Sequence, residues 1–320
     1  MYKQSNMKKT VISLLAMLVS VVAFGEKKDS VDCSSHTVIY EYKINTLDKD
    51  DKPVTDVCEL VVQVGRKVTK CAPMIAYNTQ TGVEQVRFDS HDKEQRLQSL
   101  REYGAITLMH LPIVFTGYPK GKVTTQEMIL PNLYVATDKY RKPRWQVTGE
   151  TKTLNGHLCH AATAQLAGKT WHVWFTKDVG ISAGPWKLQG LKGLIVSATD
   201  EEGIHSFQMK EIKEEQMPIY YYHDMWEAHL SHKTMKIQKT TSQEMISLRS
   251  SLFDKPEYLD NPLYYDDTAK YGTAAWMQFD SVGLAFNYKG YNYFTCTKVK
   301  AADGHEYWPY CVHKFQPLEK

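Results

Sequence analysis

The sequence predicts a mainly β protein with a few helices (α+β), built around an antiparallel curved sheet or half-barrel. Three observations carry this prediction. Several segments alternate apolar and polar residues with the period of two that a half-buried strand requires. Turn signals lie between these segments, such as Asn155-Gly156 and Ala167-Gly168, and the second of these separates two segments by only two residues. Because a parallel crossover needs about a dozen residues or more, strands this close in sequence are expected to pair antiparallel.

The predicted strands follow one another closely over the first two thirds of the chain. The first covers 36–45, where Tyr40 and Tyr42 share one face. One helix interrupts the strands at 91–103, because an Asp-Ser pair can cap its start and Gly104 can end it. The remaining predicted strands are 58–64, 67–72, 105–110, 122–128, 144–149, 157–166, 169–176, 194–199 and 205–212.

A second helix and a last group of strands are predicted after residue 240. Thr241 and Glu244 have the spacing of a capping box, which predicts a helix through about Phe253. The acidic, proline-containing stretch 255–267 indicates a loop. The final predicted strands are 273–279, 282–288, 291–298 and 306–315. The expected organisation is a leader over 1–25, an antiparallel β domain over 26–240, and a helix with C-terminal hairpins over 241–320 packed on the same domain.

The N-terminus has the features of a secretory signal peptide. Lys8 and Lys9 precede an uncharged apolar run over 11–24, and the small residues Ala23 and Gly25 indicate cleavage before Glu26. The run is shorter than the about 20 apolar residues that a membrane-spanning helix needs. We therefore expect a periplasmic or secreted protein with no transmembrane segment after cleavage.

The charge balance argues against one class of partner. Removal of residues 1–25 takes away three lysines, so the mature chain carries 36 basic and 36 acidic residues. A nucleic-acid-binding protein would instead present an excess of basic residues on one face. The sequence therefore predicts no nucleic-acid partner, and we expect no cofactor.

The six cysteines all follow the leader, and an even number in an exported chain favours disulfides. Two pairs flank predicted turns, one at Gly65 and one at Asp303-Gly304. A structural zinc site is not expected, because no two cysteines have the CxxC spacing. The predicted pairs are Cys58 with Cys71, Cys296 with Cys311 and, by elimination, Cys33 with Cys159.

The most distinctive segment is 171–200, where an aromatic strand leads into a glycine-rich apolar loop. Glycines allow the backbone to turn tightly, while the apolar side chains between them favour burial. The loop ends in the hexapeptide Gly-Leu-Lys-Gly-Leu-Ile at 190–195. A Tyr-Pro-x-Gly turn, a Trp strand and a Gly-x-x-Cys-x-x-Ala strand precede it, at Tyr118, Trp145 and Gly156.

These motifs resemble the GLPGLI family, a group of cell-envelope proteins of Bacteroidota-type bacteria without an established activity. The resemblance covers about residues 36–255 and implies an exported envelope protein. Two positions depart from the family pattern. Lys192 replaces the central proline, and Val179-Gly180 replaces the Ile-Pro that usually precedes the loop. Without these prolines the loop is expected to be softer and more basic.

The glycine-rich loop is the predicted binding element. We expect either a lip over a groove or a docking point for a partner, with Lys192 at the tip. The structural alternative is a tight turn that buries its leucines. The candidate binding residues are Trp174, Trp186, Leu191 and Lys192.

One pattern in this loop suggests a serine hydrolase. Gly180, Ser182 and Gly184 spell GxSxG, the pattern of a nucleophile elbow. That elbow needs a helix directly after the serine. Because Pro185 and further glycines follow here, coincidence in a turn is the favoured interpretation.

Histidines and aromatic residues form two further groups. The histidine group offers ligands of the type that zinc uses, but no HExxH motif is present. His157 and His160 would point to opposite faces of a strand. The aromatic groups could line a cleft for an apolar or glycan ligand, although core filling is their commoner role. The histidine group is His223, His229 and His232 with Asp224 and Glu227; the aromatic groups are Tyr220, Tyr221, Tyr222 and Trp226, and Tyr291, Tyr293, Tyr307, Trp308 and Tyr310.

The first functional hypothesis is an exported, non-enzymatic protein that binds a lipid, a peptide or a protein partner such as an outer-membrane component. By analogy, a curved sheet with covering helices resembles the periplasmic lipoprotein-carrier fold, which indicates fold and not function. The alternative is a serine- or metal-dependent hydrolase of the periplasm. A third possibility is a purely structural secreted protein.

Overall fold

The computed structural model describes residues 30–47, 51–81, 112–129, 132–221 and 237–253, with short stretches at 291–293, 299–300, 306–307, 312–314 and 316–319. The helices of this part are α1 (Met74–Thr81) and α2 (Ser242–Phe253). The strands are β1 (Ser30–Leu47), β2 (Pro53–Gly65), β3 (Thr69–Pro73), β4 (Ile113–Thr116), β5 (Lys122–Ile129), β6 (Asn132–Lys139), β7 (Gln146–Leu154), β8 (His157–Leu166), β9 (Lys169–Thr176), β10 (Leu194–Asp200), β11 (His205–Glu214), β12 (Pro218–Tyr220), β13 (Ile237–Thr240), β14 (Tyr291–Tyr293), β15 (Val299–Lys300), β16 (Glu306–Tyr307) and β17 (Val312–Lys314).

One open sheet contains thirteen of these strands. Its order is β13-β6-β5-β4-β3-β2-β1-β11-β10-β9-β8-β7, and β12 pairs with the beginning of β1 outside this path. Neighbouring strands are antiparallel except for β13 and β6, which are parallel. The predicted class, mainly β with an antiparallel curved sheet, is confirmed. Within the described residues, no helix is long and apolar enough to cross a bilayer.

Strand β1 is the centre of the sheet because both of its edges are paired. It pairs with β2 over almost its whole length and with β11 over its middle. Tyr40 and Tyr42 are fully buried on one side, as the alternation in the sequence predicts. We call this side of the sheet the core face and the opposite side the outer face. The main apolar core lies on the core face.

Strand β12 covers part of the outer face. Gln63 Nε2 donates a hydrogen bond to the carbonyl oxygen of Pro218 at 3.3 Å, and Lys70 Nζ donates to that of Tyr220 at 3.2 Å. Gln63 and Lys70 are cross-strand partners on β2 and β3, and both are buried. Because alternate carbonyls of an extended chain point to the same side, these two side chains hold β12 by its backbone.

The capping box of α2 is confirmed. The Glu244 backbone N–H donates to Thr241 Oγ1 at 3.2 Å, and the Thr241 backbone N–H donates to Glu244 Oε2 at 2.9 Å. This exchange satisfies two of the N–H groups that a helix start leaves without partners. The helix then places Met245 against Ala136 of β6, which explains the apolar stripe in its sequence.

Up to residue 253, five elements were not predicted: α1, β4, β6, β12 and β13. Helix α1 directly follows β3. Its first turn carries no acidic residue that would indicate the start of a helix, and its Ala76 is fully buried. Strand β6 forms where the alternation does not predict a strand, because it pairs with β5 along eight residues. The leader, the predicted elements 91–103 and 105–110, and most of the predicted C-terminal strands lie outside the described residues. The division at residue 240 stays a prediction.

The four described cysteines are free thiols, which differs from the predicted disulfides. The expectation that Cys58 faces Cys71 is wrong, because the register of β2 and β3 places Cys71 opposite Val62. Strands β11, β10 and β9 separate the strands of Cys33 and Cys159, so these two are not neighbours in the sheet. A disulfide requires Cα atoms within about 7 Å. The predicted pair Cys296 and Cys311 lies outside the described residues.

A buried ion pair lies at one end of the core face. Lys169 Nζ is 3.1 Å from Asp200 Oδ2 and 3.4 Å from Glu202 Oε2. The side chains of Lys169 and Asp200 are 3% and 1% exposed, whereas that of Glu202 is 50% exposed. The other carboxylate oxygen of Asp200 accepts the backbone N–H of His205 at 2.9 Å. The cluster therefore joins the start of β9 to the turn between β10 and β11.

Asp200→Asn is expected to lower the free energy of unfolding by about 3 kcal/mol, because it leaves the buried Lys169 ammonium with only an exposed counter-charge. Glu202→Gln is the matched control and should change it by less than about 1 kcal/mol, because solvent screens that carboxylate. Urea unfolding of both variants measures the difference. Equal losses in the two variants would contradict the role assigned to burial.

Candidate functional site

The loop between β9 and β10, residues 177–193, lies on the core face. Its base is closed by two backbone hydrogen bonds: Ala183 N–H donates to Gly193 O at 3.3 Å, and Ile195 N–H donates to Ala183 O at 2.9 Å. Gly193 has φ +156°, and a Cβ there would lie 2.3 Å from the carbonyl oxygen of Thr176. This close approach explains why the second glycine of the hexapeptide, Gly193, cannot carry a side chain.

Trp186 anchors the 177–193 loop in the core. Its backbone N–H donates to Cys71 Sγ on β3 at 3.2 Å, and its φ is +51°. Its side chain is 2% exposed and packs on Trp171 of β9, with ring centroids 5.8 Å apart. In sheet order, β11, β1 and β2 lie between β10 and β3. The loop therefore reaches across the core face.

Further contacts hold the loop along this path. Gln189 Nε2 donates to the carbonyl oxygen of Gly184 at 2.5 Å, within the loop. From outside the loop, Trp145 Nε1 donates to the carbonyl oxygen of Gln189 at 2.9 Å. Leu188 is fully buried. The loop thus packs as a cover on the sheet with its apolar side chains pointing inward.

The four candidate binding residues do not lie on one surface. The side chains of Trp186 and Leu191 are buried between the loop and the sheet. Lys192, the next residue after Leu191, is exposed. Trp174 alternates with Trp171 along β9, so it points to the outer face. There the Lys152 ammonium lies 4.0 Å from the centroid of its indole ring. The predicted set therefore divides between two faces of the sheet.

Two indole N–H groups stand out in the contact between the loop and the sheet. The Nε1 atoms of Trp171 and Trp186 are buried, and neither has a hydrogen-bond acceptor among the described residues. Tyr40 on the same face is different, because its hydroxyl donates to the carbonyl oxygen of Ile195 at 2.6 Å. Buried polar groups of native proteins are nearly always paired, so two exceptions in contact with each other require an explanation.

The C-terminal stretch 316–319 packs against the same face, a contact that the sequence analysis missed. The side chain of Leu318 is buried within the core, and Glu319 forms an ion pair with Lys187 of the loop. The carbonyl oxygen of Pro317 accepts a hydrogen bond from His205 Nε2 at 3.2 Å. One apolar residue near a terminus is too short a pattern to reveal such a contact.

The hydrogen bonds of His205 define its tautomer. Nε2 must carry the proton because Pro317 O can only accept, and Nδ1 then accepts the Tyr42 hydroxyl at 2.8 Å. Burial, with the nearby Lys169 ammonium, lowers the pKa of His205 to about 4. The Asp200 carboxylate opposes this shift. The imidazole is therefore a neutral structural bridge between β1, β11 and the C-terminal stretch.

The residues with catalytic patterns do not assemble a reaction centre within the described ranges. Ser182 is exposed in a loop without helix, so the geometry of a nucleophile elbow is absent there. His157 lies 4.0 Å from Asp178, whereas His160 packs on Phe175. Among these ranges, no group of three metal-ligating side chains forms. The predicted histidine group at 223–232 lies outside them.

The aromatic groups are described only in part. Tyr221 packs on Phe115 and Tyr118 with ring centroids 5.2 and 5.0 Å apart, at the outer face where β12 crosses. This contact is core filling between a strand and the sheet. Side chains of the second aromatic group, 291–310, lie outside the described part of the structure.

Comparison with known proteins gives one family match. Residues 132–225 match the family described as N-glycanase peptide, N-terminal domain. The match begins at β6, extends beyond β12 and includes the 177–193 loop. A search of curated proteins gives no match.

The structural comparisons are distant. Two crystal structures of PNGF-II are 13% and 14% identical to this chain over 67% and 65% of its length, with TM-scores of 0.37 and 0.36. This chain spans 32% of the length of each. A LolA-superfamily protein from Nitrosomonas europaea is 6% identical, with a TM-score of 0.22, over 57% of this chain and 88% of that protein.

Cys71 is expected to resist alkylation in the folded protein, because burial raises the pKa of its thiol to about 12 and only the thiolate reacts. The exposed Cys33 is the internal control and should react with iodoacetamide at pH 8. Peptide mass spectrometry after native and urea-denatured labelling measures both. Labelling of Cys71 at the rate of Cys33 in the native protein would contradict the placement of the loop.

His205 is expected to make stability fall with acidification. Because its pKa is lower in the folded chain than the ordinary value of 6.5, its contribution is complete above pH 6.5 and is lost as the pH falls towards 4. The slope is at most about 1.4 kcal/mol per pH unit. His205→Gln keeps a donor and an acceptor without titrating, so its unfolding free energy should fall less between pH 7 and 5. Parallel profiles would refute this assignment.

Proposed function

We propose that this protein is an exported, non-enzymatic binding protein of the cell envelope. It takes an apolar ligand that carries an acceptor oxygen, and the ligand lies between the 177–193 loop and the core face. The observation that carries this proposal is the pair of buried indole N–H groups of Trp171 and Trp186 without acceptors.

The energetics of these two groups support a ligand. An unsatisfied buried donor costs roughly 1–3 kcal/mol, and a ligand oxygen that accepts from it recovers that free energy. The surrounding side chains are apolar: Phe207 packs on Trp171 with ring centroids 5.8 Å apart, and Leu188 and Val173 belong to the same core. Such surroundings favour a hydrocarbon body with a small polar group.

The attachment of the loop allows access. Its base is held by backbone hydrogen bonds, and its middle is held by the packing of Trp186 and by single hydrogen bonds and ion pairs. One of them, from Trp186 N–H to Cys71 Sγ, uses sulfur, a weak acceptor. Another is the Lys187–Glu319 ion pair with the C-terminal stretch. Glycines on both sides of Trp186 provide positions where the backbone can change direction.

The family match supports the location of the site but not a reaction. It includes the loop and strands β9 to β11, but not β1 to β3, and its description refers to the N-terminal domain of an N-glycanase. Because no helix follows Ser182, we do not extend a hydrolase activity to this chain. Export through the leader at 1–25, membership in the GLPGLI family, and a periplasmic or secreted location are parts of the same proposal.

The test is binding of two fluorescent probes to the mature chain, residues 26–320. A dansyl-labelled fatty acid carries an acceptor oxygen, whereas diphenylhexatriene has none. Trp186→Phe keeps an aromatic ring but removes one N–H. It should weaken binding of the fatty acid about fivefold to tenfold, as expected for one hydrogen bond, and leave diphenylhexatriene nearly unchanged.

Trp174→Phe is the matched control, because that ring lies on the outer face. It should bind both probes as the unsubstituted protein does. The proposal fails if neither probe binds saturably, or if Trp186→Phe and Trp174→Phe have equal effects. Binding of an outer-membrane protein to the loop, without probe binding, would assign the docking alternative instead.

A further inference from the structure

The crossing segment, residues 140–145, connects β6 to β7. These two strands lie near opposite ends of the strand order, β7 as the last strand and β6 next to β13. The Tyr140 backbone N–H donates to the carbonyl oxygen of Gly121 at 3.0 Å, and Trp145 Nε1 donates to that of Gln189 at 2.9 Å. Both aromatic side chains are partly buried against the main core. The crossing segment is therefore fixed at both of its ends.

The side chains between these two aromatic residues are mostly basic and exposed. The stem of Lys142 lies against the loop between β9 and β10, because a Cβ built on Gly190 would be 3.5 Å from its Cβ and Cγ atoms. The exposed Lys192 follows two residues further along the same loop. The segment and the loop together present what we call the basic strip, which is Lys139, Arg141, Lys142, Arg144 and Lys192.

A pair of like charges extends the basic strip. Lys122 of β5 is directly opposite Lys139, and both are exposed. Like charges directly opposite each other in an antiparallel pair destabilise the sheet. Within the part of the chain that the structure describes, none of these basic groups forms an ion pair with a carboxylate. An anionic partner that contacts both lysines would remove the cost of their repulsion.

The carboxylates nearest in sequence leave this charge uncompensated. Asp138 points to the opposite side of β6 from Lys139, and its Oδ2 accepts the backbone N–H and the hydroxyl of Ser242 at 3.2 and 2.6 Å. Asp178 of the loop accepts a backbone N–H of β8. Glu150 lies further along β7, where the register with β8 shifts. Because the mature chain has equal numbers of basic and acidic residues, the strip is a local concentration of positive charge.

An exposed aliphatic side chain adjoins the basic strip. Val147 of β7 is 56% exposed and lies opposite Ala162 of the main core, so it is on the side of the sheet that the loop covers. An aliphatic group offers no stacking face to a nucleic-acid base, but it can enter the boundary between lipid headgroups and acyl chains. Clustered Lys and Arg beside such a group are typical of a surface that lies on an anionic membrane.

We propose that the basic strip and Val147 dock this protein on an anionic phospholipid bilayer. The cations contact lipid phosphates, and Val147 enters the headgroup boundary. Docking places the 177–193 loop beside the membrane, because Lys192 belongs to both the strip and the loop. This inference does not rest on the apolar ligand proposed under the loop, because the strip is formed by exposed side chains.

The test is flotation of the mature chain with vesicles of phosphatidylcholine alone and with vesicles that contain about 30% phosphatidylglycerol. The anionic vesicles should bind at least about tenfold more tightly, and added salt should weaken their binding because it screens the charges. The triple variant Arg141→Gln/Lys142→Gln/Arg144→Gln should weaken binding about thirtyfold or more, because each basic side chain near an anionic leaflet contributes roughly fivefold. Val147→Ser keeps the charge and should weaken binding about threefold.

Lys43→Gln/Lys210→Gln/Lys213→Gln is the matched control. It removes the same charge from the outer face, where these ammonium groups pair with Glu41 and Glu211. It should bind within about twofold of the unsubstituted protein, because charges far from the leaflet are screened. Thermal unfolding of each variant checks folding. The proposal is overturned if both kinds of vesicle bind equally, if the two folded triple variants lose binding equally, if free glycerol phosphate displaces the protein, or if RNA binds and vesicles do not.

Discussion

The contact of Trp186 with the core face is the interaction on which the rest of the arrangement depends. An open sheet must cover the apolar side chains of its central strand with other parts of the chain. Here the 177–193 loop provides much of that cover, and Trp186 fixes its path by packing on Trp171 and bonding to Cys71. The C-terminal stretch then packs beside the loop through Leu318 and Glu319.

The sequence predicts those strands whose residue pattern is a property of the strand alone. Alternation locates β1, β8 and β9, because a period of two is a property of each strand by itself. Strand β6 was not predictable in this way, because pairing with β5 and packing of α2 stabilise it. The predicted Cys58–Cys71 pair failed for a related reason. The turn after Gly65 places Val62, and not Cys58, opposite Cys71. A symmetric count of residues on either side of Gly65 does not predict this register.

The 177–193 loop was predictable in its position but not in its orientation. Glycines among leucines correctly indicated an unusual loop at 177–193. Alternation along β9 already implied that Trp174 and Trp171 point to opposite faces, so Trp174 belongs to a different surface from Trp186. The position of Trp186 involves a backbone hydrogen bond to Cys71 of β3, more than a hundred positions away in the chain. No local pattern contains that information.

The way in which β12 is held has a consequence for divergence of the sequence. Gln63 and Lys70 bind the carbonyl oxygens of Pro218 and Tyr220, groups that every amino acid possesses. Replacement of the Tyr220 side chain leaves its carbonyl in place, whereas replacement of Gln63 or Lys70 removes a donor. As far as these two hydrogen bonds are concerned, substitutions are therefore better tolerated at Pro218 and Tyr220 than at Gln63 and Lys70. Related chains can vary at Pro218 and Tyr220 while the polypeptide keeps the same course over the sheet, whereas Ile219 is fully buried and Tyr221 packs on Phe115.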